Sequence, residues 1–267
     1  MPSYAITGAS RGIGREFVRQ LAQSPSNTVL ALVRNPSPSA IPALHALAQS
    51  RPNIRLVRAD VTDPASVLAA AREAAGTLDG RLDVLIHNAN SVDLATVALP
   101  PTKVPFDVEA ARRFYEEPFR TAVWGGAWTT NAFLPLIERG ELKKIVHITS
   151  GMASTDVILG SGIDYALAYS IAKAGMNVQV AKYAVELAPK GIKTLALCPG
   201  WVDTHDGPKP PQVVQAEEQF LARFRRIEPD LKGQMTVEES VSQQLKVIDA
   251  LDAARSGTVI RAREFKA

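Results

Sequence analysis

Tyr169 and Lys173 stand four residues apart in Tyr-Ser-Ile-Ala-Lys, a spacing that on a helix puts both on one face. A cation beside a phenol favours the phenolate and lowers its pKa. Such a pair can give and take a proton near neutral pH. A core tyrosine next to a solvated lysine has the same pattern. Tyr165 competes for the role, but its fourth residue onward is Tyr169 and not a cation. Ser150 follows the apolar run 145–149. A hydroxyl at the C-terminal edge of a parallel sheet can hold a substrate oxygen, or simply make a local turn bond.

The second chemical signal is Thr7-Gly8-Ala9-Ser10-Arg11-Gly12-Ile13-Gly14. It follows the short run Tyr4-Ala5-Ile6 and leads into residues 16–22, where Phe17, Val18 and Leu21 recur at helical spacing. Strand, glycine turn and helix form the context in which such a pattern cradles a pyrophosphate. Glycines let the backbone approach the phosphates, and the helix N-terminus offers free N–H groups. An ordinary tight turn is the alternative. About 20 residues beyond the glycines a dinucleotide fold reads the ribose, and here that position is Arg34. Arginine suits a 2′-phosphate, which its forked N–H donors can grip, and Arg11 adds a second positive charge. The expected cofactor is therefore NADP(H). Two solvated surface arginines would look the same.

Strands are expected at residues 4–6, 28–33, 54–57, 84–86, 145–149, 194–197 and 258–260. The helices between them cover 16–22, 43–48, 64–75, 108–137 with a break near Pro118, 168–187 and 237–252. Asp63 and Pro64 read as N-cap and first helical residue. Thr236 and Glu239 read as a capping box. Residues 151–165 read as a polar loop. The Pro- and Gly-rich stretch from Gly207 reads as the opening of an irregular insertion, a variable lid at about 205–235. Alternating strands and helices imply an α/β fold, a doubly wound parallel sheet with helices on both faces, in one Rossmann domain over residues 1–267.

Composition narrows the function classes. The 267 residues are 46% hydrophobic and 21% charged, with 30 basic against 27 acidic side chains, the balance of a folded globular chain. No basic stripe accompanies stacking aromatics, so no nucleic-acid partner is expected. The single cysteine, Cys198, forbids an internal disulfide and fits a reducing, cytoplasmic setting. No run approaches the ~20 apolar residues of a membrane span, the first strand begins without a leader, and no metal is expected. Phe106, Trp124, Trp128, Trp201, Phe220 and Phe224 point to an apolar or aromatic pocket, or to core and interface packing.

Together, the glycine loop, Asp60-Val61, Asn88-Ala89, Ser150, Tyr169 with Lys173, and Pro199-Gly200-Trp201-Val202-Asp203-Thr204 resemble the short-chain dehydrogenase/reductase family over nearly the whole chain. The wording is most similar to fungal members, which often serve secondary metabolism. The resemblance implies an NAD(P)-dependent enzyme acting on a small-molecule carbonyl or alcohol. In it Tyr169 is the acid/base, Lys173 binds the nicotinamide ribose and tunes Tyr169, and Ser150 orients the substrate oxygen. Gly8, Ser10, Gly12, Ile13 and Gly14 belong to the cofactor loop. Asp60 and Val61 meet the adenine, Asn88 and Ala89 lie by its ribose, and Pro199, Gly200, Val202 and Thr204 face the nicotinamide end. Family members often pair through helices at about 108–137 and 168–187, which implies a homodimer or homotetramer.

Three departures stand out. Asn90 replaces the glycine of the family's Asn-Ala-Gly. The stretch between Ser150 and Tyr169 is longer than usual. Ala122 occupies the place of an asparagine thought to hold a water that links the lysine to solvent, and Asn131 points to the wrong face to replace it. A reductase or dehydrogenase is expected. A non-redox cyclase, isomerase or dehydratase on the same scaffold, or a cofactor-binding regulator without turnover, remain the alternatives.

Overall fold

The computed structural model describes residues 1–91, 93 and 95–266. The β-prone apolar runs become β1 (Ser3–Thr7), β2 (Thr28–Val33), β3 (Ile54–Arg58), β4 (Val84–His87), β5 (Lys144–Ile148), β6 (Lys193–Cys198) and β7 (Val259–Arg261). All pair in parallel in one sheet of order β3-β2-β1-β4-β5-β6-β7. Chain order reverses between β1 and β4, so the loops that follow them diverge and open a crevice at the C-terminal edge.

The helices are α1 (Gly12–Leu21), α2 (Pro42–Ser50), α3 (Pro64–Thr77), α4 (Val108–Pro118), α5 (Gly125–Ile137), α6 (Thr155–Ser161), α7 (Leu167–Leu187), α8 (Pro211–Phe224) and α9 (Val237–Asp249). Alternate strand residues face opposite layers. Ile6, Ile86 and Val146 pack with Phe17 and Val18 of α1 and Ile248 of α9. Ala5, Leu85 and Ile145 pack with Ala74 of α3, Phe133 of α5 and Leu187 of α7. Burial on both faces is why the strands read as continuous apolar runs. Asp63 caps α3 by accepting from the Ala65 N–H, and Thr236 and Glu239 form the reciprocal box at α9. No helix among the described residues is long and apolar enough to cross a membrane.

The break expected near Pro118 in the helix over 108–137 takes the form of a π-helical turn, Phe119–Trp124, directly after that proline, which supplies no N–H to the helical ladder. Two segments differ from the sequence reading. The stretch 151–165 is not all loop. It holds a 3₁₀ turn, Gly151–Ala153, and the short α6, whose two turns are too brief to show a helical period. The insertion after Gly207 contains the 14-residue α8, none of whose residues is buried. Pro211 at its first position is a helix start signal, masked in the sequence by the neighbouring prolines.

At the edge of the sheet remote from the crevice, Asp83 ties three elements together. Its carboxylate accepts from the Ser3 N–H and hydroxyl, both at 2.9 Å, and from the Glu141 and Leu142 N–H groups at 2.7 and 3.2 Å. Burial alone would raise its pKa, but these donors outweigh it and hold the carboxyl below the usual range. Asp83→Ala leaves those buried donors unpaired and is expected to cost about 3 kcal/mol or more in urea unfolding at pH 7. Because the folded pKa is depressed, this contribution is complete above the unfolded carboxyl value near 4 and is lost as pH falls through the folded one. The gap between native and variant should therefore close in acid. A gap that persists unchanged to low pH would contradict the carboxylate's role.

Candidate active site

The crevice is built on a close contact between the glycine loop and the end of β4. A Cβ on Gly14 would lie 2.3 Å from the Gly8 carbonyl oxygen and 2.6 Å from Asn88 Nδ2, so no larger residue fits. Asn88 Nδ2 donates to the Thr7 and Gly8 carbonyls at 3.2 Å each. Thr7 Oγ1 accepts the N–H groups of Asn88 and Ala89, both at 3.0 Å, and lies 3.4 Å from His87 Nδ1. His87 Nε2 lies 3.1 Å from the Thr121 carbonyl. A carbonyl only accepts, so Nε2 carries the proton and Nδ1 accepts from Thr7. Burial lowers the pKa of His87 to about 4, with the Lys173 charge adding to the effect, so the ring is neutral.

Above this junction lies a cleft of about 620 Å³. One end is lined by Gly8, Ser10, Arg11, Gly12 and Ile13 of the loop, by Arg34 after β2, by Asp60 and Val61 after β3, and by Asn88 and Ala89 after β4. Gly14 does not line it; its place is the packing beneath. Arg11 and Arg34 are exposed at the rim. Their neighbours on this face are committed, Arg15 to Asp206 and Arg19 to Glu16 and Glu238, whereas neither Arg11 nor Arg34 has an ion-pair partner among the described residues. Burial opposes the ionisation of Asp60, but donation from the Thr62 N–H and hydroxyl and the Arg34 charge lower its pKa overall.

The other end is lined by Ser150, Tyr169, Lys173, Pro199, Gly200, Val202 and Thr204. Ser150 Oγ accepts from the Met152 N–H at 3.2 Å, which leaves its own proton available. Lys173 is buried, donates to the Ile148 carbonyl at 2.7 Å and sits 5.9 Å from the centre of the Tyr169 ring. Burial brings Lys173 down to about 8. The expectation of a lowered phenol pKa is corrected. Burial raises the Tyr169 phenol above its ordinary value, with the Ser150 hydroxyl opposing it, and the Lys173 ammonium is turned to a backbone carbonyl. Tyr165, the competing tyrosine, does not line the cleft and packs edge-on against Phe220.

The departures have structural counterparts. Asn90 lines the cleft without a left-handed backbone, so the lost glycine costs nothing there. The long Ser150–Tyr169 spacing houses α6, whose Val157 lines the cleft beside Met152. Ala122, in the π-helical turn, is buried against Ala172 and Met176 of α7, an apolar contact in the asparagine's place. Asn131 accepts from the Tyr183 hydroxyl at 2.8 Å on the opposite side.

Of the six aromatics, Trp201, Phe220 and Phe224 line the cleft. Phe106 is fully exposed, and Trp124 and Trp128 pair with each other 6.4 Å apart, outside it. Sequence reading missed Arg261, at the end of β7, and Arg263 and Glu264 just beyond it, which close the cleft, and Glu228, which pairs with Arg263. A parallel sheet brings every strand's C-terminal end to one edge, and that rule was the available signal.

Comparison with known proteins points to one family. A family model described as short chain dehydrogenase matches residues 3–209. The chain is 41% identical over 263 residues to the short-chain dehydrogenase/reductase atnB of Arthrinium sp., covering 97% of each. It is 38% identical to the short-chain dehydrogenase/reductase AacuF of Aspergillus aculeatus, covering 93% of this chain and 92% of the relative. Among solved structures, an NADPH-bound carbonyl reductase from chicken fatty liver superposes with a TM-score of 0.80 at 28% identity, covering 98% of this chain and 97% of that one.

In the ligand-free protein the Tyr169 phenol is expected to stay protonated beyond pH 10. Alkaline titration of native protein against Tyr169→Phe, followed by tyrosinate absorbance, isolates this group. A difference signal rising near neutral pH would contradict the geometry of Lys173.

Proposed function

The chain belongs to the short-chain dehydrogenase/reductase family, and from that premise we propose that it is an NADP(H)-dependent reductase of a small-molecule ketone, aldehyde or imine. The observation that carries the reading is the sharing of one cleft by two sets of groups. Two unpartnered arginines and a glycine cradle stand at one end, and Ser150, Tyr169 and Lys173 at the other. A dinucleotide suits that cradle because glycines let the loop pack closely on Asn88, Ala89 and Thr204 and form a tight turn before α1, and because Arg11 and Arg34 can meet a 2′-phosphate. The likeness to an NADPH-bound carbonyl reductase supports the same choice.

When bound, the reduced nicotinamide supplies a hydride to the carbonyl carbon. The protein's part is to position and protonate. Ser150 donates a hydrogen bond to the carbonyl oxygen, and Tyr169 donates the proton that this oxygen takes as the alcohol forms. A phenol whose pKa is not lowered retains that proton at neutral pH and can donate it. Lys173 keeps one N–H on the Ile148 carbonyl, and its other N–H groups would be free for the ribose. Asp60 would meet the adenosine end, Asn88 would shape its surroundings through the glycine loop, and Val202 and Thr204 would border the nicotinamide.

NADPH is expected to bind at least tenfold tighter than NADH, a difference of about 1.4 kcal/mol and modest for a charge-assisted arginine–phosphate contact. Arg34→Ala should remove most of that preference and leave NADH binding nearly unchanged. Equal affinities in the native protein would sink the NADP(H) assignment. Tyr169→Phe should retain NADPH affinity while turnover falls roughly 100- to 10,000-fold, the usual worth of a positioned acid/base group. Full activity in that variant would remove Tyr169 from the mechanism.

A further inference from the structure

Three of the cleft-lining side chains form a triangle of rings. Trp201 lies 6.3 Å from Phe220 and 5.4 Å from Phe224, and Phe220 lies 6.0 Å from Phe224 with their planes only 23° apart. Tyr165, four residues before Tyr169, meets Phe220 edge-on at 5.3 Å and buttresses the patch from the entry to α7. Phe220 and Phe224 sit one helical turn apart on α8, so one face of that helix presents both. The protein itself does not bury this face: no residue of α8 is buried. Phe220 and Phe224 are only partly buried, over a cleft that also holds Ser150 and Tyr169, which leaves an apolar face that a ligand can cover.

The shape and chemistry of the patch restrict that ligand. Trp201 is tilted 38° to Phe220 and 51° to Phe224, so three rings spaced 5.4–6.3 Å apart make an angled aromatic surface broader than a single six-membered ring, offering both faces and edges. Aromatic faces and edges carry opposite partial charges, so they favour another π-system over an aliphatic body of equal area. We propose that the substrate is a flat, fused-ring aromatic ketone whose rings lie on the Trp201–Phe220–Phe224 triangle, with its carbonyl between Ser150 and Tyr169. The binding half of this inference stands on the rings alone; the placement of the carbonyl rests on the reductase reading above. The anchoring of α8 allows the wall to fit the ligand. Arg223 at the end of the helix donates to the Gly162 carbonyl after α6, and Glu228 just beyond it pairs with Arg263. Glu217 in the middle of α8 pairs with Lys209 at 2.8 Å, and together these polar ties hold the wall over the cleft without burying it.

Two matched pairs of compounds separate binding from chemistry. Calorimetry compares 2-naphthol with trans-decahydro-2-naphthol, alike in skeleton and hydroxyl but different in flatness and π-character. The native protein should bind the naphthol at least tenfold tighter. Phe220→Leu and Phe224→Leu should each reduce that ratio about two- to tenfold, the range expected of one aromatic pair. Because neither side chain is buried, the variants should fold, and an unchanged melting temperature checks this. Hydrogen exchange over residues 211–228 should slow on adding naphthol. Equal affinity for the two alcohols, or a ratio untouched by both substitutions, would overturn the inference whether or not any ketone is turned over. NADPH consumption with 2-tetralone and trans-2-decalone then tests the reaction separately. Tight naphthol binding without oxidation of NADPH by either ketone would leave the aromatic site standing and defeat the reductase reading.

Discussion

The narrowest clearance at the base of the cleft, 2.3 Å between a would-be Cβ on Gly14 and the Gly8 carbonyl, decides where everything functional can sit. It brings the first turn of α1 down onto the glycine loop and both against Asn88 at the end of β4. β1 and β4 are the pair of neighbouring strands at which chain order reverses, so this junction is also the floor of the crevice. Thr7 uses its hydroxyl fully, accepting two backbone N–H groups and donating to His87. Asn88, which the family resemblance places beside a ribose, spends its amide on the loop that forms that ribose's surroundings. The side chain positions the cradle before it could touch any ligand.

From the same junction a polar thread runs beneath the site. His87 connects Thr7 to the carbonyl of Thr121 in the π-helical turn, and its ring lies 5.3 Å from that of His147, which meets Thr130 at 3.1 Å. Both imidazoles are buried, and burial drives both toward the neutral form. Neutral rings place no second charge beside Lys173. Directly after Thr121 comes Ala122, packed on Ala172 and Met176. The turn that would carry an asparagine thus grips α7 by apolar contact. α7 in turn begins at Ala166, whose left-handed backbone (φ 58°) is unusual for a residue with a Cβ. Its N–H bonds the Val97 carbonyl at 2.7 Å, and this sets the angle at which Tyr169 enters the cleft.

Much of the fold was legible because the strands are buried on both faces and so appear as uninterrupted apolar runs bounded by strong caps. β2 matches its expected span residue for residue, and the Asp63 and Thr236 caps form as their sequences imply. α6 and α8 were hidden for different reasons. α6 is too short to develop a period, and α8 has no buried side to enforce one. The convergence of Ser150, Tyr169 and Lys173 on the glycine loop's cleft was legible as order and spacing, since parallel strands deliver their C-terminal ends to one edge. The state of the phenol was not. Spacing four places lysine and tyrosine on one face, but whether the ammonium turns to the phenol or to the Ile148 carbonyl depends on β5, which the helix sequence does not contain. For the same reason the aromatic list could not be divided. Trp124 and Trp201 look alike in sequence, and only the sheet edge tells which one borders the cleft.

The central claim is that this cleft joins hydride and proton to one carbonyl. It is tested most directly by isotope. With NADPH doubly deuterated at the nicotinamide C4 and 2-tetralone in ordinary water, every molecule of alcohol should carry one deuterium on the carbinol carbon, with one NADPH consumed per alcohol formed. Alcohol formed without deuterium on that carbon, or ketone converted to another product while NADPH stays constant, would contradict hydride transfer and assign the cleft to non-redox acid/base chemistry.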